Sequence, residues 1–125
     1  MSFLDKYAPM LLSILRIVAG LLFLEHGTSK LLGFPHNAMF DHLTPMIMAA
    51  GAIELVGGAL IVLGLFSRIA AFIASGEMAV AYWMVHVPGG GLLPLNNGGA
   101  EAIFFCFVFL YIAAAGPGPW AANQK

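Results

Sequence analysis

Charged side chains are scarce in this sequence. Only 9% of its 125 residues are Asp, Glu, Lys or Arg, whereas 61% are hydrophobic. Globular proteins devote about a quarter of their residues to charge, and so few polar groups cannot cover a surface in water. The shortage excludes an ordinary water-soluble domain and indicates one integral membrane domain, residues 1–125.

Basic runs and paired cysteines are also missing. Five Lys and Arg residues against six Asp and Glu give a net charge of −1, which argues against nucleic acid as a partner. One cysteine, Cys106, excludes an intramolecular disulfide, a CxxC redox pair and a cysteine metal cluster. We interpret Cys106 as a small buried hydrophobe. No metal site and no covalently bound cofactor are predicted.

Long apolar runs are abundant. Four segments approach the roughly 20 residues that a bilayer-crossing helix needs, and clusters of Pro and Gly separate them. The predicted spans are 9–32, 45–66, 69–87 and 99–115. The link between the second and third spans is very short, which makes them antiparallel neighbours. The sequence therefore predicts an all-α integral membrane four-helix bundle with up-down-up-down topology.

Basic residues near the span ends indicate the orientation of the bundle. Lys6, Arg68 and Lys125 fall on one side of the membrane, and Lys30 alone falls on the other. Because Lys and Arg are enriched in cytoplasmic loops, both termini are predicted to be cytoplasmic.

Several ionisable residues lie inside the predicted spans. Each would cost about 2.5 to 3.5 kcal/mol at a helix centre, so they should face one another, the backbone or water within the bundle. At about 100° per residue, Arg16, Gly20, Phe23, Gly27 and Lys30 share one helix face. The small glycines on this face should let another helix approach closely.

Helical rise and antiparallel order divide the ionisable residues into two groups. The first is a predicted buried polar cluster in the cytoplasmic half: Arg16, Glu54 and Glu77. The second is a predicted polar opening on the outer side: His26, Lys30, His86 and Glu101. Neither group includes Glu25.

Two interpretations of these charges remain open. Carboxylates outnumber Arg and Lys in the spans, so some must be protonated, hydrated or paired with histidine, and such groups could exchange protons. Alternatively, Arg16 with Glu77 or Glu54 is a static pair that fixes helix register. His26 and His86 can likewise be capped interfacial histidines without a chemical role.

Four stretches resemble the DoxX family in order along the chain. "RIVAGLLFLEHGTSKLLGF" (16–34) is similar to its first-span signature, and "GAIELVGGALIVLGLFSRIAA" (51–71) to its second-span motif. "NNGGAE" (96–101) and "GPGPWAAN" (116–123) resemble the motifs before and after the last span. Ala100 separates the glycines from Glu101, and Ala121 and Asn123 stand where the family usually has Ser and Asp.

The resemblance implies a small multi-pass protein of the bacterial inner membrane, in a family often linked to redox systems. Relatives include a thiosulfate:quinone oxidoreductase subunit. The first hypothesis is an accessory or quinone-interacting subunit of a redox complex, with membrane lipid and other subunits or further copies of itself as partners. The alternative is a non-enzymatic scaffold. A small transporter is disfavoured, since no inverted repeat is evident.

Overall fold

The chain is helical throughout. The computed structural model describes all 125 residues and contains no strand. The helices are α1 (Ser2–Asp5), α2 (Ala8–Leu32), α3 (Pro45–Leu63), α4 (Ser67–Ala81), α5 (Val87–Gly90), α6 (Pro94–Asn97) and α7 (Ala100–Ala115). A 3₁₀ turn covers Ala38–Phe40, and a π-helical segment, Tyr82–His86, joins α4 and α5 into one continuous helix.

Three helices are long and apolar enough to cross a membrane: Ala8–Leu32, Pro45–Leu63 and Ser67–Gly90. Helix α7 is apolar but shorter. The prediction of an all-helical membrane chain is thereby confirmed, with two boundaries corrected. Helix α3 ends three residues early because Gly64 adopts a left-handed conformation (φ 71°). The third span continues past residue 87, because the π-helical pattern before Pro88 accommodates a residue without an amide hydrogen.

The helices pack as two pairs, α2 with α3 and α4 with α7, and a short turn joins α3 to α4. Glycines bring the backbones of α2 and α3 together. A Cβ atom on Gly27 would overlap the backbone of Leu55, and one on Gly58 would lie 2.8 Å from Leu24 Cα. This close approach is the one that the glycine spacing of α2 predicts.

Aromatic rings join the two helix pairs. Phe23 of α2 makes edge contacts with Phe105 and Phe109 of α7, at centroid distances of 5.6 and 4.9 Å. Large apolar side chains stay exposed on the outer faces of every long helix, among them Leu21, Val56, Phe72, Phe104 and Phe107. A bilayer would cover these faces, since hydrocarbon solvates them at no cost.

The C-terminal segment (residues 116–125) folds back over the start of α2 and the turn between α3 and α4. The Ala122 and Asn123 amides donate to the carbonyls of Leu63 and Gly64, each at 3.1 Å. Asn123 Oδ1 also accepts from the Phe66 amide at 3.1 Å. Asn123 therefore holds the C-terminal segment against this turn through its amide oxygen and its backbone amide. We call this side of the molecule the sealed end.

Arg16 lies at the centre of the sealed end and is completely buried. Its guanidinium donates to the Pro117 carbonyl and, at 2.5 Å, to the Trp120 carbonyl. The predicted cluster of Arg16 with Glu54 and Glu77 is therefore wrong. Backbone carbonyls of a non-helical segment accept from the two terminal nitrogens of the arginine, whose buried Nε has no partner, and the two glutamates lie in the other half of the molecule.

Candidate functional site

A cavity of about 670 Å³ opens between α3 and α4 on the side away from the sealed end. Its walls come from the first half of α3, the second half of the Ser67–Gly90 helix, the end of α2 and the start of α7. Of its 22 lining residues, 14 are hydrophobic, including Met46, Ile53, Met78, Val85 and Phe105. A largely apolar cavity of this volume, with few polar groups, is typical of a small-molecule site.

Lys30 and Glu54 form a bidentate ion pair beside the cavity. Lys30 Nζ lies 2.7 Å from each carboxylate oxygen of Glu54. The Glu54 side chain is fully buried, and Lys30 is 12% exposed. Short charge-assisted bonds of this kind are among the strongest in proteins. Lys30, rather than Arg16, is thus the cation that pairs with Glu54.

Glu77 extends this pair into a three-residue group. Its side chain lines the cavity and lies near the Glu54 carboxyl. Its Oε1 atom is buried and accepts no hydrogen bond. Two ionised carboxylates can only accept hydrogen bonds. One proton shared between Glu54 and Glu77 would bond the two carboxyls and leave them with a single negative charge, which the positive charge of Lys30 balances. The arrangement can hold and release a proton.

His26 and Glu101 form a second polar pair, between α2 and α7. His26 Nε2 lies 2.6 Å from Glu101 Oε1, and Nδ1 lies 2.8 Å from the Leu22 carbonyl. Because a carbonyl only accepts, Nδ1 carries a hydrogen. One further proton therefore lies between Nε2 and the carboxyl, as an ion pair or as a neutral acid and imidazole. The inserted Ala100 does not prevent this contact.

His86 belongs to the π-helical segment, and Asn97 positions it. His86 Nδ1 lies 3.2 Å from the Asn97 carbonyl. The Asn97 amide donates to Tyr82 Oη at 3.1 Å and to the Gly91 carbonyl at 2.8 Å, and its Oδ1 accepts from the Gly99 amide at 2.7 Å. Asn97 thus connects residues 87–99 to the π-helical segment. π-Helical turns occur often at functional sites.

The loop between α2 and α3 covers the cavity. Asn37, Met39 and Phe40 contribute to its lining, and Lys30 Nζ lies 5.3 Å from the centroid of the Phe40 ring. Thr44 begins α3 by accepting from the Ile47 amide at 3.2 Å. The loop therefore lies directly over the Lys30 side chain.

Glu25, which the sequence left unplaced, lies on the far side of this loop. It is exposed and lines a separate pocket of about 100 Å³ with His36 and Ser29. His36 is bonded to Asp41 at 2.9 Å. No three His, Cys, Asp or Glu side chains are grouped so that they could hold a metal ion.

The structure brings together most of the site residues that the sequence indicates. All four residues of the predicted outer opening line the one cavity: His26, Lys30, His86 and Glu101. Glu77 joins them, and Glu54 lies behind Lys30. The sequence reasoning missed Asn97 and Tyr82. Asn97 lies in the "NNGGAE" stretch that resembles a family motif, but the Gly and Asn residues there predict only a loop, and no signal marks Tyr82.

Comparison with known proteins agrees with the sequence motifs. The DoxX family model matches residues 11–87. An uncharacterized protein of Haemophilus influenzae is 46% identical over 133 residues, an alignment that covers 100% of this chain and 97% of the relative. No solved structure matches the chain.

Proposed function

The chain belongs to the DoxX family of membrane proteins, and on that premise we propose that it binds a quinone in this cavity, as an accessory subunit of a redox complex of the bacterial inner membrane. The observation that carries the proposal is a ligand-sized apolar cavity with two pairs of ionisable side chains at its wall, Lys30 with Glu54 and His26 with Glu101.

The chemistry of the cavity suits a quinone ring. The ring needs apolar walls, which α3, α4 and α7 provide, and its oxygens need polar partners and a nearby proton. A proton shared by the Glu54 and Glu77 carboxyls would lie on one side of the cavity, and the proton between His26 and Glu101 lies on the other. Proton uptake and release accompany quinone reduction and oxidation, so both groups lie where they would give protons to the quinone oxygens or take protons from them.

Electrons would come from or pass to another subunit. The sequence contains no flavin, haem or iron–sulfur motif, and electron transfer therefore requires a partner. The exposed apolar faces of the long helices are available to such a subunit, to a further copy of this chain, or to lipid.

The proposed topology is a four-helix bundle with up-down-up-down order and both termini cytoplasmic. Its support is the return of the C-terminal segment to Ser13 of α2 and to the turn between α3 and α4, which requires α7 to run from the cavity back to the sealed end. At 1.5 Å per residue, the 16 residues of α7 span about 24 Å, slightly less than a typical hydrocarbon core. The sealed end also carries Arg68 and Lys125, as the positive-inside rule favours.

Filling the cavity tests the proposal. Ala50→Phe places a ring in the cavity, whereas Val56→Phe places one on the exposed outer face of the same helix. With protein in lipid nanodiscs, a short-chain quinone should bind the wild type and the Val56→Phe variant and bind Ala50→Phe at least tenfold more weakly. Equal binding by both variants would rule out this cavity as the quinone site.

The scaffold alternative rests on the ion pair between Lys30 and Glu54, which ties α2 to α3. A double variant, Lys30→Met with Glu54→Leu, removes both charges without leaving either one buried alone. A scaffold should keep its fold and its assembly in this variant and show no other change. A quinone-binding subunit should keep its fold and lose ligand affinity.

A further inference from the structure

The cavity reaches the outer surface of the molecule between α3 and α4. Val80 of α4 lines the cavity and is exposed. At about 100° per residue, Val80 lies about 160° around the helix from Met78, which is buried in the core. The cavity therefore extends to the face of α4 that points away from the core.

Helix α3 shows the same arrangement. Ala49 also lines the cavity and is exposed. It is two residues from Gly51 and so lies about 160° around the helix from it. Gly51 faces α2, since a Cβ atom there would lie 2.9 Å from Leu31 Cγ. Ala49 therefore points away from α2, and together with Val80 it marks a lateral opening of the cavity.

This lateral opening lies along membrane-spanning helices. On α3 the lining extends from Met46 to Ile53, which is about 10 Å of helix at 1.5 Å per residue. Both α3 and the Ser67–Gly90 helix are long and apolar enough to cross the bilayer. The opening between them therefore faces lipid hydrocarbon.

The lining is polar at the back of the cavity and apolar at the opening. At the back, Lys30 comes from α2 and is 12% exposed. Two of its N–H groups bond Glu54, which leaves the third for a ligand. At the opening, Met46, Val80 and Met84 are 51%, 54% and 58% exposed. A ligand that matches both regions has a polar head near Lys30 and a long apolar tail that passes through the opening.

We propose that the cavity takes a membrane-dissolved quinone with a long apolar tail, and that the tail passes between Ala49 and Val80 into the lipid. The inference rests on the proposed function, because it specifies the class of quinone and its path to the same site. The tail gains little by contact with the protein, since lipid is as apolar as its side chains. The opening matters because it gives the tail a free path while the head is bound.

Blocking the opening separates the tail from the quinone ring. Two probes are titrated against the protein in nanodiscs: a tail-less dimethoxybenzoquinone and the same ring with a decyl tail. Ala49→Phe places a phenyl group in the opening, whereas Ala52→Phe places one on an exposed part of α3 outside the cavity. Each probe is compared with itself across the variants, so its partition into lipid cancels.

Ala49→Phe should weaken binding of the decyl probe about tenfold or more, because the phenyl group and the tail would overlap. The tail-less probe should change by less than about twofold, since it needs no path for a tail. Ala52→Phe should change neither.

A second pair repeats the test from α4. Val80→Trp blocks the opening from the other side, and Ile73→Trp is its control, on an exposed part of α4 outside the cavity. Because both replaced side chains are exposed, both variants should fold, as circular dichroism and melting curves can establish. This pair keeps the proposal testable if Ala49→Phe does not assemble.

The outcomes separate the two claims. If the blocking variants weaken both probes equally, or weaken neither, the path of the tail is wrong and the quinone site stands. The same holds if the wild type binds only the tail-less probe. A bound phospholipid, seen by native mass spectrometry and not displaced by excess decyl probe, would show that a lipid acyl chain fills the opening instead. If neither probe binds the wild type, the proposed function fails as well.

Discussion

Arg16 is a fully buried cation that no carboxylate contacts. Its partners are two carbonyls of the C-terminal segment, beside Ser13, which also accepts from the Trp120 amide at 3.0 Å. The glycine opposite leaves room for this arrangement, since a Cβ at Gly64 would lie 3.2 Å from Arg16 Cζ and closer still to Ala121. Through these two hydrogen bonds, the arginine holds the C-terminal segment against the helices.

Replacing Arg16 by Met should release the C-terminal segment. The change removes two charge-assisted hydrogen bonds, which leaves the Trp120 carbonyl without its donor and the Pro117 carbonyl with only the 3.3 Å bond from the Ser13 hydroxyl, at a cost of about 3 kcal/mol. Thermal unfolding in detergent and digestion by carboxypeptidase measure the effect. Lys6→Met, which removes an exposed charge at the same end, should change neither. If Arg16→Met unfolds at the same temperature as the wild type and resists carboxypeptidase equally well, Arg16 does not hold the C-terminal segment in place.

Helix identity and helix faces follow from local sequence, and for that reason they are largely predictable here. The apolar runs and glycine spacing indicate the long helices and the close contact of α2 with α3. The boundaries and charge partners depend on the folded chain. Nothing within residues 16–77 shows that Pro117 returns to bond Arg16, nor that Lys30 thereby becomes the partner of Glu54.

Gly27 offers a test of the contact between α2 and α3. In Gly27→Ala the new methyl group would overlap the Leu55 backbone, which forces the helices apart and should cost about 1–3 kcal/mol. Gly76, on α4, has open space around it. Gly76→Ala should therefore be neutral or stabilising by up to about 1 kcal/mol. Melting curves that rank the two variants in the opposite order would refute this packing.

Substitutions at Asn97 and at its neighbour Asn96 give a second comparison between a test variant and its control. Asn97→Ala removes three side-chain hydrogen bonds, one to Tyr82 and two within residues 87–99, whereas Asn96 is exposed. Amide hydrogen exchange across residues 87–99 should accelerate about tenfold or more in Asn97→Ala and stay unchanged in Asn96→Ala. Equal exchange in the two variants would show that the loop does not depend on Asn97.

At the scale of the whole molecule, one end is sealed and the other holds the cavity. The sealed end is closed by Arg16 and the C-terminal segment, and the cavity lies between the two helix pairs under the loop that carries Phe40. A ligand can therefore enter from the side of the two longer loops or from the lipid between α3 and α4. Under the proposed topology, the loop side is the outer side of the membrane.

Cysteine labelling tests that topology. In a Cys106→Ser background, Ser2→Cys and Gln124→Cys should react with a membrane-impermeant maleimide only from the cytoplasmic side, and Asn96→Cys only from the outer side. If α7 does not cross the membrane, Gln124→Cys will react from the same side as Asn96→Cys.

The most direct measurement of the central claim is photolabelling with an azido-quinone, followed by mass spectrometry of the labelled peptides. A quinone in the cavity should label residues 46–53 of α3 and 77–86 of the following helix, and excess unlabelled quinone should suppress that labelling. Labelling confined to the lipid-facing side chains, such as Phe104 and Phe107, or labelling that excess quinone does not suppress, would contradict the account.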